Sequence, residues 1–366
     1  MLKMLRSLKI ENFRCFERFE LQQLGQLNLL VGTNNSGKTS ILEAVQLLIS
    51  QSNLELLREV MISRGEYILS DEKGRGRELD IRHLFYGHQI EQGSRFSIFG
   101  SNHNEPEGVT VFVEDPGVVQ LTLFDEFPFK ELQQFLLGIQ LLGENNESVT
   151  LPLSPQKGLP LDYTRRITRD WKNGGLKTQF VTSSSLTSEK MIELFDQVVL
   201  TPEESHVIEA LQTIEPTIDR IASVGFEKDR YTSSRRGFVV RLTDGNQRIP
   251  IGSMGDGIWR MLGLTLAIVN ARDGVLLVDE IDTGLHFRAM SDMWKLIWET
   301  AKRLNVQVFA TTHNSDCWTS LAAIASQENP SEEGITIHRI EKGKPNSVVF
   351  TERQIVIAAE RGIEVR

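Results

Sequence analysis

Leu27-Asn28-Leu29-Leu30-Val31-Gly32-Thr33-Asn34-Asn35-Ser36-Gly37-Lys38-Thr39-Ser40 runs a short apolar segment straight into a glycine-framed loop. Ile41, Leu42, Ala44, Val45, Leu47, Leu48 and Ile49 follow at helical spacing. Strand, loop and helix thus come in the order a phosphate-binding loop requires. In that geometry backbone amides cradle the α and β phosphates, and glycine is needed because a side chain would block their close approach. Asn34, Asn35, Ser36, Gly37, Lys38, Thr39 and Ser40 are the candidate nucleotide-binding residues. Lys38 would reach the β and γ phosphates, and the Thr39 hydroxyl would ligate Mg2+. With glycine at ordinary abundance, a chance Gly-x-x-x-x-Gly-Lys-Ser/Thr match in such a chain is on the order of one per cent. The flanking strand and helix lower it further.

Two more apolar strands carry chemistry at their ends. Val275-Leu276-Leu277-Val278 closes on Asp279-Glu280. A buried parallel strand delivers its carboxyl end to the ligand edge of a sheet, where Asp279 can hold the magnesium shell. Glu280 then stands where it can orient and deprotonate a water for in-line attack on the γ phosphate. Residues 306–310 lead into Thr311-Thr312-His313, and a histidine there could report whether the γ phosphate is present. Ser253-Met254-Gly255-Asp256-Gly257 would by itself be an ordinary turn. It lies a helix and a turn ahead of Asp279, and the helical pattern of residues 258–262 makes it the approach to a helix N-terminus, which attracts anions.

The order of these four motifs resembles the ATP-binding-cassette (ABC) type of ATPase, with its signature motif, acidic strand and switch histidine. The opening Ile10-Glu11-Asn12-Phe13-Arg14-Cys15-Phe16 resembles the non-transporter branch, which includes SMC proteins, RecF and the OLD nucleases. Asp279-Glu280-Ile281-Asp282-Thr283-Gly284-Leu285-His286 is more similar to the AAA-labelled relatives of the OLD ATPase domain than to transporters. The resemblance covers about residues 1–95 and 236–366. It implies an α/β P-loop head, with a mixed or parallel sheet flanked by helices and an N-terminal antiparallel subdomain. It implies ATP and Mg2+, with Thr39 and Asp279 as metal ligands and Glu280 and His313 as catalytic residues. It also implies a homodimer that sandwiches ATP, in which Ser253, Gly255 and Gly257 complete the partner's site. Two departures stand out: Asp256-Gly257 replaces the Gly-Gln ending of the transporter signature, and His286 stands where SMC-like heads carry an aspartate.

Composition bounds the rest. The chain has 366 residues, 40% hydrophobic and 24% charged, as in an ordinary soluble globular protein. A formal charge of -9 argues against binding polyanions over the whole surface but permits local basic patches. Cys15 and Cys317 read as free thiols, since neither has a partner at metal-ligand spacing. The longest apolar run, residues 258–271, contains Arg260 and is too short to span a bilayer. With no cleavable leader in residues 1–9, a cytoplasmic protein with no membrane partner is expected.

Three regions are expected: residues 1–95 as an N-terminal ATPase lobe, 96–235 as an α+β insertion, and 236–366 as a C-terminal lobe. Within the insertion, residues 108–114 and 118–124 alternate as strands do, and 188–224 reads as two helices, the second capped by Thr201-Pro202-Glu203-Glu204. Without sustained heptads a long coiled-coil arm is excluded. Arg165, Arg166, Arg169, Lys172 and Lys177 cluster around Trp171, and Arg230, Arg235 and Arg236 form a second group. They fit a solvated, salt-bridged loop, or a grip on nucleic-acid phosphates with tryptophan stacking on a base. Residues 334–340 and 347–351 read as a closing hairpin, with too little chain after His313 for the TOPRIM nuclease that OLD proteins append. The expected function is an ATP-hydrolysing sensor or switch in anti-phage defence with an effector in trans. The alternatives are a RecF-like DNA repair ATPase and a nucleotide-locked scaffold with negligible turnover.

Overall fold

Side chains of a strand alternate between its two faces, and here that alternation divides one core into two. The computed structural model describes residues 4–50, 54–69, 77–102, 106–114, 135–143, 148–161, 176–224, 237–243, 245, 247–327 and 334–366. The chain starts with β1 (Ser7–Phe13), β2 (Phe16–Leu21) and β3 (Leu27–Val31), followed by α1 (Lys38–Ser50) and α2 (Leu54–Ser63). Next come β4 (Tyr67–Leu69), β5 (Arg77–Leu79), β6 (Arg95–Ser101), β7 (Pro106–Glu114), β8 (Leu136–Leu142), β9 (Ser148–Pro152), β10 (Leu159–Pro160) and β11 (Thr178–Val181). Then follow α3 (Ser188–Asp196), α4 (Glu203–Gln212), β12 (Ile218–Ser223), β13 (Phe238–Leu242), β14 (Arg248–Pro250) and α5 (Asp256–Asn270). The last elements are β15 (Val275–Val278), α6 (Phe287–Leu304), β16 (Gln307–Thr312), α7 (Ser315–Ala325), β17 (Ile335–Arg339), β18 (Val348–Thr351) and α8 (Glu352–Glu360).

Among the described residues the central sheet has the order β11-β15-β16-β3-β17-β18, parallel except for the antiparallel β18. Its strands are apolar throughout because both faces are covered. Leu29, Val31, Leu276, Val278, Val308 and Ala310 join the core that contains α5, α6 and α7. Leu30, Val275, Leu277 and Phe309 face the opposite way and pack with α1. Helix α1 is buried along nearly its whole length because its far side meets a second, antiparallel sheet of order β2-β1-β6-β7-β8-β9.

Residues 95 and 96 both lie in β6, which pairs with β1 on one side and β7 on the other. The strands of residues 96–152 therefore extend the N-terminal antiparallel sheet instead of forming a body of their own. At the far end of the same stretch, β11 becomes the edge strand of the central sheet by pairing with β15. The two-helix reading of residues 188–224 holds up to Gln212, but residues 218–223 form β12, which pairs with β13. Helix α4 starts one residue later than its capping pattern suggests: Pro202 is the N-cap, and the Thr201 hydroxyl accepts from the Glu203 N–H at 3.3 Å. Residues 118–124 and the basic clusters, apart from Lys177, lie outside the described residues. The closing hairpin appears as β17 and β18, and α8 follows it with a Thr351–Gln354 capping box.

The turn between β1 and β2 is tied to α1 by buried charge. Arg14, at φ 56°, donates to Glu43 at 2.9 Å and to Glu66 at 2.5 Å, and Arg64 reaches the other Glu43 oxygen at 2.6 Å. Removing one partner of such a pair costs about 3–5 kcal/mol because the other charge stays buried.

His338 on β17 is fully buried and neutral. Thr336 Oγ1 donates to Asn28 Oδ1 at 2.9 Å, so the histidine Nε2–H donates to Thr336 at 3.0 Å and Nδ1 accepts from Ser347 at 3.3 Å. Burial pushes its pKa from 6.5 down to about 3. Below pH 6.5 the unfolded chain takes up a proton that the folded chain refuses until about pH 3, so stability is fully present above 6.5 and falls with pH through that window. Urea unfolding of wild type should therefore lose on the order of 1 kcal/mol per pH unit more than His338→Gln as pH is lowered from 6 to 4. Equal slopes in the two proteins would show that His338 is not held neutral.

Candidate active site

The adjacent strands β15, β16 and β3 all end at one edge of the central sheet. Asp279 and Glu280 follow β15, Thr312 closes β16 just before His313, and the loop of residues 32–37 joins β3 to α1. Gly32, at φ 146°, lies so close to the next strand's exit that a Cβ would sit 2.4 Å from the Ile340 carbonyl oxygen. Gly37, at φ 99°, packs under the β1–β2 turn, where a Cβ would meet the Phe16 ring and lie 2.8 Å from Cys15 Sγ. Asn35 also takes a left-handed conformation, at φ 59°, and it is exposed together with Asn34. Ser40 is buried, with Cys15 Sγ 3.9 Å from its hydroxyl.

The loop's own polar groups are unevenly satisfied. Ser36 is buried, and its hydroxyl has no partner among the described residues. Lys38 Nζ folds back onto the carbonyls of Gly32 and Thr33, both at 2.8 Å. Burial holds its pKa below the ordinary lysine range, while Asp279 and Glu280 pull it upward. An orphaned hydroxyl beside a largely buried ammonium suits a phosphate, which would accept from both.

Beyond the loop, the Thr39 hydroxyl lies 3.1 and 3.0 Å from the two oxygens of Asp279. Thr311 donates to Asp279 Oδ1 at 2.7 Å and accepts from the Glu280 N–H at 2.8 Å. A hydroxyl and a carboxylate side by side form the hard-oxygen donor set that Mg2+ takes, so Thr39 and Asp279 fit that ion. Glu280 sits at φ 46°, and its carboxylate lies 3.7 Å from His313 Nδ1 with both side chains substantially solvent-accessible. The structure thus brings Lys38, Thr39, Asp279, Glu280 and His313 to one edge.

Ser253, Gly255 and Gly257 stand apart from that hydrogen-bonded set. A 3-10 turn, Ile251–Met254, leads to Gly255, which caps α5 at φ 96°. Ser253 and Gly255 are exposed, and a Cβ on Gly255 would meet nothing within 4 Å. Gly257 borders the turn after Glu280, where a Cβ would come 3.4 Å from the Gly284 carbonyl oxygen. His286 caps α6 by accepting from the Arg288 N–H at 3.4 Å, and Asp282 accepts from Thr312 at 2.7 Å.

Two residues of this edge carry no motif of their own. Thr311 organises both acidic residues, and the polar Thr311-Thr312 pair ending an apolar strand was its only trace. Arg260 reaches the carbonyls of Asp279 and Glu280, and its sign in the sequence was a lone charge inside the apolar run 258–271.

Residues 4–148 and 162–317 match the family described as "AAA ATPase domain". The chain belongs to that AAA ATPase domain family. With its motif order, it is an ABC-type ATPase of the class that includes RecF, SMC and OLD proteins. Over 344 residues it is 22% identical to an "ATP/GTP phosphatase" of Helicobacter pylori, a match that spans 86% of each chain. A 46-residue segment is 48% identical to an "OLD nuclease" of Thermus scotoductus, covering 13% of this chain and 8% of that protein. The chain also resembles a crystal structure of an Smc head bound to the C-winged helix domain of ScpA, at 14% identity, 95% and 98% coverage and a TM-score of 0.49.

The crowding under Gly37 gives a direct test of the loop in this AAA ATPase domain. Gly37→Ala should weaken ATP binding at least tenfold, about 1.4 kcal/mol, in calorimetric titration while the protein stays folded. Wild-type affinity in that variant would contradict the assigned loop geometry.

Proposed function

We propose that this head hydrolyses ATP and does so as an ATP-gated homodimer with shared active sites. The observation that carries the reading is a division of labour: Thr39, Asp279, Thr311 and the Glu280 backbone form one bonded set, while the Ser253–Gly257 turn is left facing solvent at the start of α5. A helix N-terminus with exposed amides is an anion site. In a two-fold pair, Ser253 and the Gly255 amide would meet the γ phosphate held by Lys38 of the second copy, with Gly257 leaving room for close approach. Isologous contact of this kind completes two sites at once.

Within one head, Lys38 and the loop amides hold the phosphates, and Thr39 and Asp279 hold Mg2+. When bound, that ion neutralises charge on the β and γ phosphates. Glu280 takes the proton of the attacking water, and its solvent accessibility leaves a path for that water. His313, beside Glu280, orients the same water or bonds the γ phosphate, so the presence of that phosphate sets the position of the loop after β16.

Two substitutions separate these roles. Glu280→Gln should bind ATP, remain dimeric with it in sizing chromatography, and lose hydrolysis by about 10²–10⁴-fold, the usual contribution of a general base. Ser253→Arg should keep ATP affinity in the monomer but neither dimerise nor turn over. Unchanged hydrolysis in Glu280→Gln removes the base assignment, and wild-type dimerisation of Ser253→Arg removes the shared site.

A further inference from the structure

Arg260 has a cost that packing does not explain. It lies one turn into α5 with 2% of its surface exposed. Among the described residues its guanidinium makes no ion pair; it donates to three backbone carbonyls, of Thr182 at 2.6 Å, Asp279 at 3.0 Å and Glu280 at 2.8 Å. Its Nε has no partner among the described residues. The buried Arg14, by contrast, is matched by two carboxylates. Burial lowers the Arg260 pKa to about 10, against the pull of Asp282, Asp279 and Glu280, so it is still a cation at neutral pH. A hydrophobic side chain of similar volume generally serves packing better than a buried charge.

What the guanidinium grips is the peptide that needs holding. Glu280 is a non-glycine residue at φ 46°, a left-handed conformation that is unfavourable and persists only when its surroundings fix it. Its N–H is held by Thr311 and its carbonyl by Arg260 and the Thr283 N–H at 3.0 Å. Arg260 belongs to the helix that Gly255 caps, and the same helix start abuts Gly284 just beyond Glu280.

We propose that Arg260 is a positioning residue that fixes the left-handed Glu280 peptide from the signature helix α5, so that the hydrolytic carboxylate is aimed by the same element that receives the partner's nucleotide. This rests on the reading of Glu280 as the base. It explains why the only charge in the apolar run 258–271 is spent on carbonyls. An ATP-engaged α5 and a correctly aimed Glu280 then form one rigid unit, because the guanidinium fork spans β11, β15 and α5.

Arg260→Lys keeps the charge but loses the fork that spans three carbonyls. It should lower kcat by about 10²-fold with KM unchanged, the pattern of an interaction that matters only in the transition state. Glu280→Gln and the double variant Arg260→Lys/Glu280→Gln should hydrolyse ATP at the same residual rate, because the arginine acts only through that carboxylate. Nucleotide affinity should stay at the wild-type level in all three. A purely structural arginine would instead lower the double variant further in proportion to its loss of folded protein, and that result overturns the proposal. So does a wild-type kcat in Arg260→Lys. Should Arg260→Lys fail to fold, Arg260→Gln is put through the same cycle with the same expected and overturning results. If Glu280→Gln alone retains hydrolysis, the base assignment fails first; if it is inactive while Arg260→Lys is fully active, only the positioning role fails.

Discussion

One carboxylate, that of Asp279, ties together the ends of three neighbouring strands. It accepts from Thr39, at the start of the helix that follows β3, and from Thr311, near the end of β16, while itself closing β15. Hydrogen bonds to a charged group contribute about 1.5–3 kcal/mol each, more than neutral pairs, and their direction is fixed by the donors. The phosphate loop, the proposed metal ligands and the proposed hydrolytic residue therefore hold their spacing through a single side chain. The alternation of Leu29 and Leu30, and of Leu276 and Leu277, between two cores keeps the strands beneath that carboxylate from shifting register.

Around this centre the protein uses buried cations in two ways. Arg14 pairs with Glu43 and Glu66, which locks the β1–β2 turn onto α1 and sets Phe16 and Cys15 against Gly37. That turn thus forms a wall of the phosphate loop although it lies before it in sequence. Arg260 grips carbonyls at the opposite side of the edge and holds a residue whose backbone conformation is otherwise unfavourable. Between them, Lys38 rests on its own loop's carbonyls, a pose in which its charge is partly desolvated and ready to move to a stronger acceptor.

The sequence made the ATPase edge legible because it is local chemistry at strand ends. An apolar run followed by Gly-x-x-x-x-Gly-Lys-Thr, or by Asp-Glu, carries its own geometry, so Lys38, Thr39, Asp279 and Glu280 could be named without coordinates. Arg260 and Thr311 could not, since their roles depend on strand order: β11, β15 and β16 must be neighbours before a guanidinium on α5 can reach them. The same limit explains the middle of the chain. Residues 96–235 carry no recognisable motif and read as an insertion, yet β6 pairs with β1 across a long separation in sequence, and the identity of a long-range strand partner leaves no periodic trace. Residues 218–223 fall inside the stretch that reads as helical, whereas pairing with β13 decides their conformation.

The central claim is that each active site draws on two copies, and mixing two inactive variants tests it most directly. Lys38→Ala lacks a phosphate-binding loop but keeps its signature turn, and Ser253→Arg lacks the turn but keeps the loop. A mixed dimer then holds one complete site and one doubly broken site. Steady-state ATP hydrolysis should be absent from either protein alone and should appear on mixing, highest near equal amounts. No hydrolysis at any ratio, or full activity of Ser253→Arg by itself, would contradict a shared site.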